Sequence, residues 1–155
     1  MAEPLRHEDF EIERVYPRCR DHVWAAWAIT EMKRNWSGDG LTVMDFRVGG
    51  IERGAFTNDM GEHRKEATFF EISERSRIVY AYSMAVNGRV HSVSLATVLF
   101  ADEGGGTRLT YRERICVIPP SDGVKGRRHG WGVLLDGLAA FLASDTGAAA
   151  DRNRV

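Results

Sequence analysis

From Leu41 to Val117 the chain is cut at near-regular intervals by short turn signals, and this punctuation constrains its fold more than any other feature. The signals are Gly49-Gly50, "MGEH", "SERS", Asn87-Gly88 and Gly104-Gly105-Gly106. Asn-Gly is a strong hairpin signal because both residues tolerate the positive φ that a two-residue turn demands, and Gly49-Gly50 suits a tight hairpin for the same reason. Between the signals lie "LTVMDFRVGG", "IERGAFTND", "RKEATFFEIS", "RIVYAYSMAV", "VHSVSLATVLFADE" and "TRLTYRERICVI". Five or six consecutive strands joined by short turns make an antiparallel meander.

What flanks the meander sets the fold class. Ahead of it, "DFEIERVYP" alternates imperfectly, with Phe10, Ile12 and Arg14 against Glu11, Glu13 and Val15, and reads as a strand stopped by Pro17. "RDHVWAAWAITEMKRNW" follows, with Val23, Trp24 and Trp27 at helical spacing and Asp21 as the expected N-cap. Thr30 restarts a second short helix that ends near Trp36, and "SGDG" turns the chain into the sheet. Behind the meander, "PPSDG" ends the strands, and Ser121 or Asp122 is placed to cap a last helix. Within Gly126 to Asp145, Trp131, Leu135, Leu138 and Leu142 fall on one helical face. A helix with one apolar face must cover something. Strands grouped apart from helices indicate α+β, with the last helix lying across the concave face of a curled antiparallel sheet. Such packing tends to leave a ligand-sized gap.

At 155 residues one domain is expected, spanning 1–145, with 146–155 a small, polar, flexible tail. The net charge of -1 provides no drive toward nucleic acid or an anionic membrane. The opening "MAEPLRHEDFEIERV" lacks the apolar run of a signal peptide, and no stretch is long and apolar enough to span a bilayer. Cys19 and Cys116 lie far apart without metal spacing, so a reduced, cytoplasmic compartment fits, a single disulfide being the alternative.

The residues that carry chemistry are sparse. His7, His22, His63, His91 and His129 show no metal-ligand spacing, and no nucleophile elbow, dinucleotide loop or Cys-His arrangement occurs. No cofactor and no metal is implied. "KGRRHG", Lys125 to Gly130, reads as a solvated helix face, with an anionic ligand group near Arg127 or Arg128 as the weaker alternative. In "TRLTYRERICV", Arg108, Thr110, Arg112 and Arg114 share a polar outer face, while Glu113 falls among Leu109, Tyr111 and Ile115. Either a neighbouring strand's arginine pairs Glu113, or Glu113 is a polar handle in a pocket. Tyr80, Tyr82 and Met84 share one strand face. Trp36, beside the "SGDG" turn, is placed to line a cavity mouth, whereas Phe56 and Trp131 belong with the core aromatics or the cavity. In "HSVSLATVLF" the inward face is ambiguous, because Val93, Leu95 and Leu99 compete with Val98 and Phe100. An apolar outer face would need a partner, hence a possible homodimer.

Five segments taken in order, "VWAAWAITEMKRNW", "MDFRVGGIERGAF", "EATFFEISERSRIVYAY", "DEGGGTRLTYRE" and "HGWGVLLDGLAAFL", resemble the START/SRPBCC superfamily. Within it they are most similar to single-domain relatives of the activator of heat-shock-protein-90 ATPase, a group tied to polyketide cyclases. The resemblance covers roughly Glu8 to Ala143. It implies the helix-grip fold and an apolar cavity between the sheet and the last helix.

The leading functional expectation is therefore a binder of a small hydrophobic molecule. Its candidate ligand-binding residues are Trp36, Phe56, Tyr80, Tyr82, His91, Tyr111, Glu113, Trp131 and Leu135. Trp131 and Leu135 are expected at the cavity end of the helix, with Leu138 and Leu142 sealing the core. The alternatives are a cyclase-, lyase- or hydrolase-like enzyme using Glu113 as its acid, and a module that binds a chaperone partner. The enzyme reading expects Glu113→Gln to remove turnover while leaving stability nearly unchanged.

Overall fold

The turn punctuation becomes one seven-stranded antiparallel sheet in the computed structural model, which describes residues 4–38, 40–121 and 124–144. The first strand, β1 (Arg6–Tyr16), is followed by helices α1 (Arg20–Ala28) and α2 (Thr30–Ser37). Strands β2 (Leu41–Met44), β3 (Ile51–Asn58), β4 (Gly61–Ser73), β5 (Arg77–Val86), β6 (Arg89–Glu103) and β7 (Gly106–Val117) form the meander, and α3 (Val124–Ala143) closes the chain. The sheet order is β1-β7-β6-β5-β4-β3-β2, so the first strand returns to pair with the last. The α+β helix-grip architecture read from the sequence is the one observed. The expected tail, 146–155, and the capping candidate Asp122 lie outside the described residues.

Turn chemistry explains the strand boundaries. Asn87 and Gly88 take φ of 50° and 81°, and Gly104 and Gly105 take 56° and 82°, as two-residue turns with positive φ at both positions require. Gly49-Gly50 is not a tight hairpin. Residues 45–50 separate β2 from β3, and the segment folds back so that the Gly49 amide donates to the Phe69 carbonyl at 2.8 Å. Helix α1 begins one residue before the expected cap. The Cys19 carbonyl accepts the His22 and Val23 amides at 3.1 Å each, which makes Cys19 the N-cap. Asp21 sits instead in the first turn, where the helix dipole favours its charge, and accepts from Arg75 at 3.2 Å. Across β1 and β7, Asp9 faces Arg114 and Glu11 faces Arg112, so opposite charges mark the register on the outer face.

Three bulges curl the sheet, between Leu41 and Val43, Phe69 and Glu71, and Met84 and Ala85. An extra residue on one strand bends it and increases its local twist. On β6 the inward face is Ser92, Ser94, Ala96, Val98 and Phe100, while Val93 and Leu95 are exposed on the outside. The sequence ambiguity is settled by volume: inside, small residues sit beneath the polar groups of β7 and bulky ones beneath the helices. Trp131, Leu135, Leu138 and Leu142 all turn inward and are buried. Tyr16 donates from its hydroxyl to the Leu135 carbonyl at 3.0 Å, fixing α3 against β1. Helix α3 thus covers the β1-β7-β6 side, and α2 packs beside it. The β3-β4-β5 side of the concave face is left partly uncovered.

Candidate functional site

That uncovered side holds a cavity of about 690 Å³, within the range of roughly 300–1,000 Å³ common for small-molecule sites. Strand alternation supplies most of its wall. Glu52, Gly54 and Phe56 come from β3, His63 and Lys65 from β4, and Tyr82, Met84 and Val86 from β5. These share one parity on each strand, the parity that faces α3, and Ala55 of β3 joins them from the other. Helix α2 adds Lys33 and Trp36, and α3 adds Arg127, Trp131 and Leu134. His91 breaks the β6 alternation: it is the extra residue of the bulge between the Met84↔Ser92 and Ala85↔Val90 pairs, and the bulge lets it join the lining. Phe56 and His63 stack at 4.5 Å at the exposed rim.

The first of two charged clusters lies beneath the α3 side. Glu113, 2% exposed, acts purely as an acceptor with its four sites filled. Tyr82 and Tyr111 donate to Oε1 at 2.5 and 2.6 Å, and Ser94 and Arg127 donate to Oε2 at 2.7 and 2.9 Å. The Tyr82 hydroxyl donates to Glu113 and accepts from Arg127 at 3.0 Å and from the Trp131 indole at 3.3 Å. Arg127 also reaches Ser92 at 2.5 Å. Burial, then the charge of Glu113, raises the Tyr82 phenol above its usual 10.0, so it remains a donor. Trp131 stacks on Tyr111 at 4.0 Å and lies parallel to Trp27 at 6.0 Å.

The second cluster is Lys33–Glu52–Lys65. Lys33 and Glu52 are 4% and 3% exposed and are hydrogen-bonded, and Lys65 donates to the other Glu52 oxygen at 2.9 Å. Burial works against the charged form of Glu52, but the ammonium groups of Lys33 and Lys65 outweigh it and bring the carboxyl down to about 2. Burial likewise pulls the Lys33 ammonium below its usual 10.5, against the attraction of Glu52. Lys65 lies over the rings of Tyr82, Tyr80 and Trp131, at 5.1, 5.5 and 5.8 Å from their centres. Because Arg127 covers the same Tyr82 ring at 5.3 Å, the two clusters meet at that tyrosine.

Of the nine sequence candidates, Trp36, Phe56, Tyr82, His91 and Trp131 line the cavity. Tyr80, Tyr111, Glu113 and Leu135 are buried behind that surface. On α3 the cavity-end neighbour of Trp131 is Leu134, because Leu135 points into the core. Glu113 is paired by an arginine, as one sequence alternative held, but the arginine comes from α3 and not from a neighbouring strand. The solvated reading of "RRH" holds for Arg128 and His129, which are exposed, and fails for Arg127. Arg127 stands four residues before Trp131 and so continues the apolar stripe inward. Lys33, Glu52 and Lys65 were missed. Glu52 shares parity with Gly54 and Phe56, and Lys65 with Ala67 and Phe69, the same signal that singled out Glu113. Among the described residues no cluster of His, Cys, Asp and Glu could hold a metal ion, and Cys19 and Cys116 are not joined by a disulfide. No described helix is long and apolar enough to cross a membrane.

The family model for Activator of Hsp90 ATPase homolog 1-like protein matches residues 18–143. No curated protein matches the chain. Among solved structures, the Mll3558 protein of Rhizobium loti is 41% identical, over 90% of this chain and 100% of that one, with a TM-score of 0.84. A protein of Rhizobium leguminosarum is 33% identical over 90% of this chain and 96% of that one, with a TM-score of 0.85. DynU16, a protein from the dynemicin biosynthetic locus, shares the fold at 19% identity and a TM-score of 0.68, across 88% of this chain and 47% of its own.

Proposed function

Because the chain belongs to the Activator of Hsp90 ATPase homolog 1-like family, of START/SRPBCC type, we propose that it binds a small, largely apolar molecule between the sheet and α3. The observation that carries this reading is the cavity itself, walled by Trp36, Tyr82, Met84, Trp131 and Leu134 with charged groups set into one side. Burial of the ligand's apolar surface drives binding, at roughly 25 cal/mol per Å² before the costs of association. His91 is the lining residue that orients it, because the Tyr82 hydroxyl is already committed to Glu113, Arg127 and the Trp131 indole. Tyr111 and Glu113 act at one remove, by holding Tyr82 and Arg127 in position.

The enzyme alternative depends on Glu113 as a proton donor to substrate. Glu113 is buried behind Tyr82 and Arg127 with its oxygens committed to four protein donors, which counts against that role. The family description names a chaperone ATPase, and a chaperone partner for this chain would be sought by pull-down; the cavity reading requires none.

The test uses the neutral fluorophore phenylnaphthylamine, which brightens in an apolar site. Saturable enhancement by the native protein, strongly reduced in Met84→Trp at unchanged thermal stability, is the expected result. No enhancement, or equal enhancement in the filled variant, rules the cavity out as the binding site.

A further inference from the structure

The cavity wall has an unequal charge distribution. Among the described residues, Lys33, Lys65, Arg89 and Arg127 line it, against the single carboxylate of Glu52. Arg127 is matched by Glu113 behind the wall, and Arg89 donates to the Pro119 carbonyl near the rim. What is left is the α2–β3–β4 corner. There, among the described ion pairs, two ammonium groups share one carboxylate, so one positive charge is unmatched. Lys33 is buried within this corner, while the Lys65 side chain is 22% exposed and runs across the aromatic wall. The three aromatic faces beneath Lys65 stabilise an ammonium there, yet they supply no countercharge. In a partly desolvated pocket an unmatched charge is costly, and an entering anion relieves that cost.

We propose that the cavity selects an amphipathic organic anion, whose carboxylate or comparable acidic group sits against Lys65 and Lys33 while its apolar body lies along Trp131, Met84 and Leu134. This rests on the cavity reading and adds the polarity of the ligand's head group. Glu52 then has a definite role. It draws both ammonium groups to one carboxylate, so that the corner accepts one negative charge and not two.

Two matched probe pairs separate this from simple apolar binding. Anilinonaphthalene sulfonate differs from phenylnaphthylamine by its acidic group, and decanoate differs from decanol in the same way. The expected result is that each anion binds about tenfold more tightly than its neutral partner, a difference of about 1.4 kcal/mol. Lys65→Met should abolish the preference, because it leaves Glu52 balanced by Lys33, whereas Lys65→Arg should keep it. Neutral probes binding in the cavity as tightly as the anions would overturn the anion assignment while leaving the cavity reading intact. A preference that survives in Lys65→Met would overturn it too. If neither member of a pair binds, both readings fall together. A stability curve for Lys65→Met that matches the native protein shows that the variant is folded.

Discussion

At the scale of single residues, the two buried carboxylates should respond differently to change. Glu113→Gln replaces an acceptor at all four of its contacts with a group that is half donor, and it leaves Arg127 without its countercharge. Breaking one partner of a buried pair costs about 3–5 kcal/mol, so denaturant unfolding of this variant should show a loss of that order. The nearly unchanged stability that an acid catalyst would allow is therefore not expected here. Glu52 should be visible as pH dependence. Its carboxyl lies near 4.5 when unfolded and near 2 when folded, so its stabilisation is fully present above the unfolded value and is lost as pH falls toward 2. At about 1.4 kcal/mol per pH unit, that interval corresponds to roughly 3 kcal/mol. Unfolding free energies measured from pH 5 to pH 2 should decline by that much less in Glu52→Gln than in the native protein.

Among the elements, one tightly fitted joint is where β1 meets β7. A Cβ on Gly106 would stand 2.3 Å from the Tyr16 carbonyl oxygen, so only glycine permits the strands to approach there. Gly106→Ala should destabilise by about 2–3 kcal/mol, read as a lower melting temperature, with Gly130→Ala, within α3, as a comparison that meets no neighbour and has no positive φ. Elements were also what the sequence disclosed best. Every strand of the meander, both short helices and the gripped face of α3 could be read from turn residues and periodicity, which are local. The bulge at His91, the return of β1 to β7 and the six-residue excursion before β3 could not, because each is fixed by pairing between distant segments. The site divides in the same way. Trp36, Tyr82 and Trp131 could be read from position alone, whereas nothing local joins Lys33, Glu52 and Lys65 into one cluster until three separate elements bring them together.

For the molecule as a whole, the sheet is used twice. One side, under α3, is closed by packed side chains; the other is left open to the cavity. A ligand filling that second side stabilises the folded state by mass action, by about 2.7 kcal/mol when present at a hundredfold over its dissociation constant. For a chain of this size the melting temperature should rise by roughly 5–10 °C, and calorimetry with saturating anilinonaphthalene sulfonate should record it. No rise at saturation would place the dye somewhere other than this interior.

Trp131 belongs to both sides at once. Its indole packs against Tyr111 and Trp27 in the core and also forms part of the cavity wall. An occupant therefore cannot enter without altering the surroundings of a tryptophan that is already held rigid. The protein carries its own optical gauge, and ultraviolet emission alone, with no added label, should tell when the cavity is full.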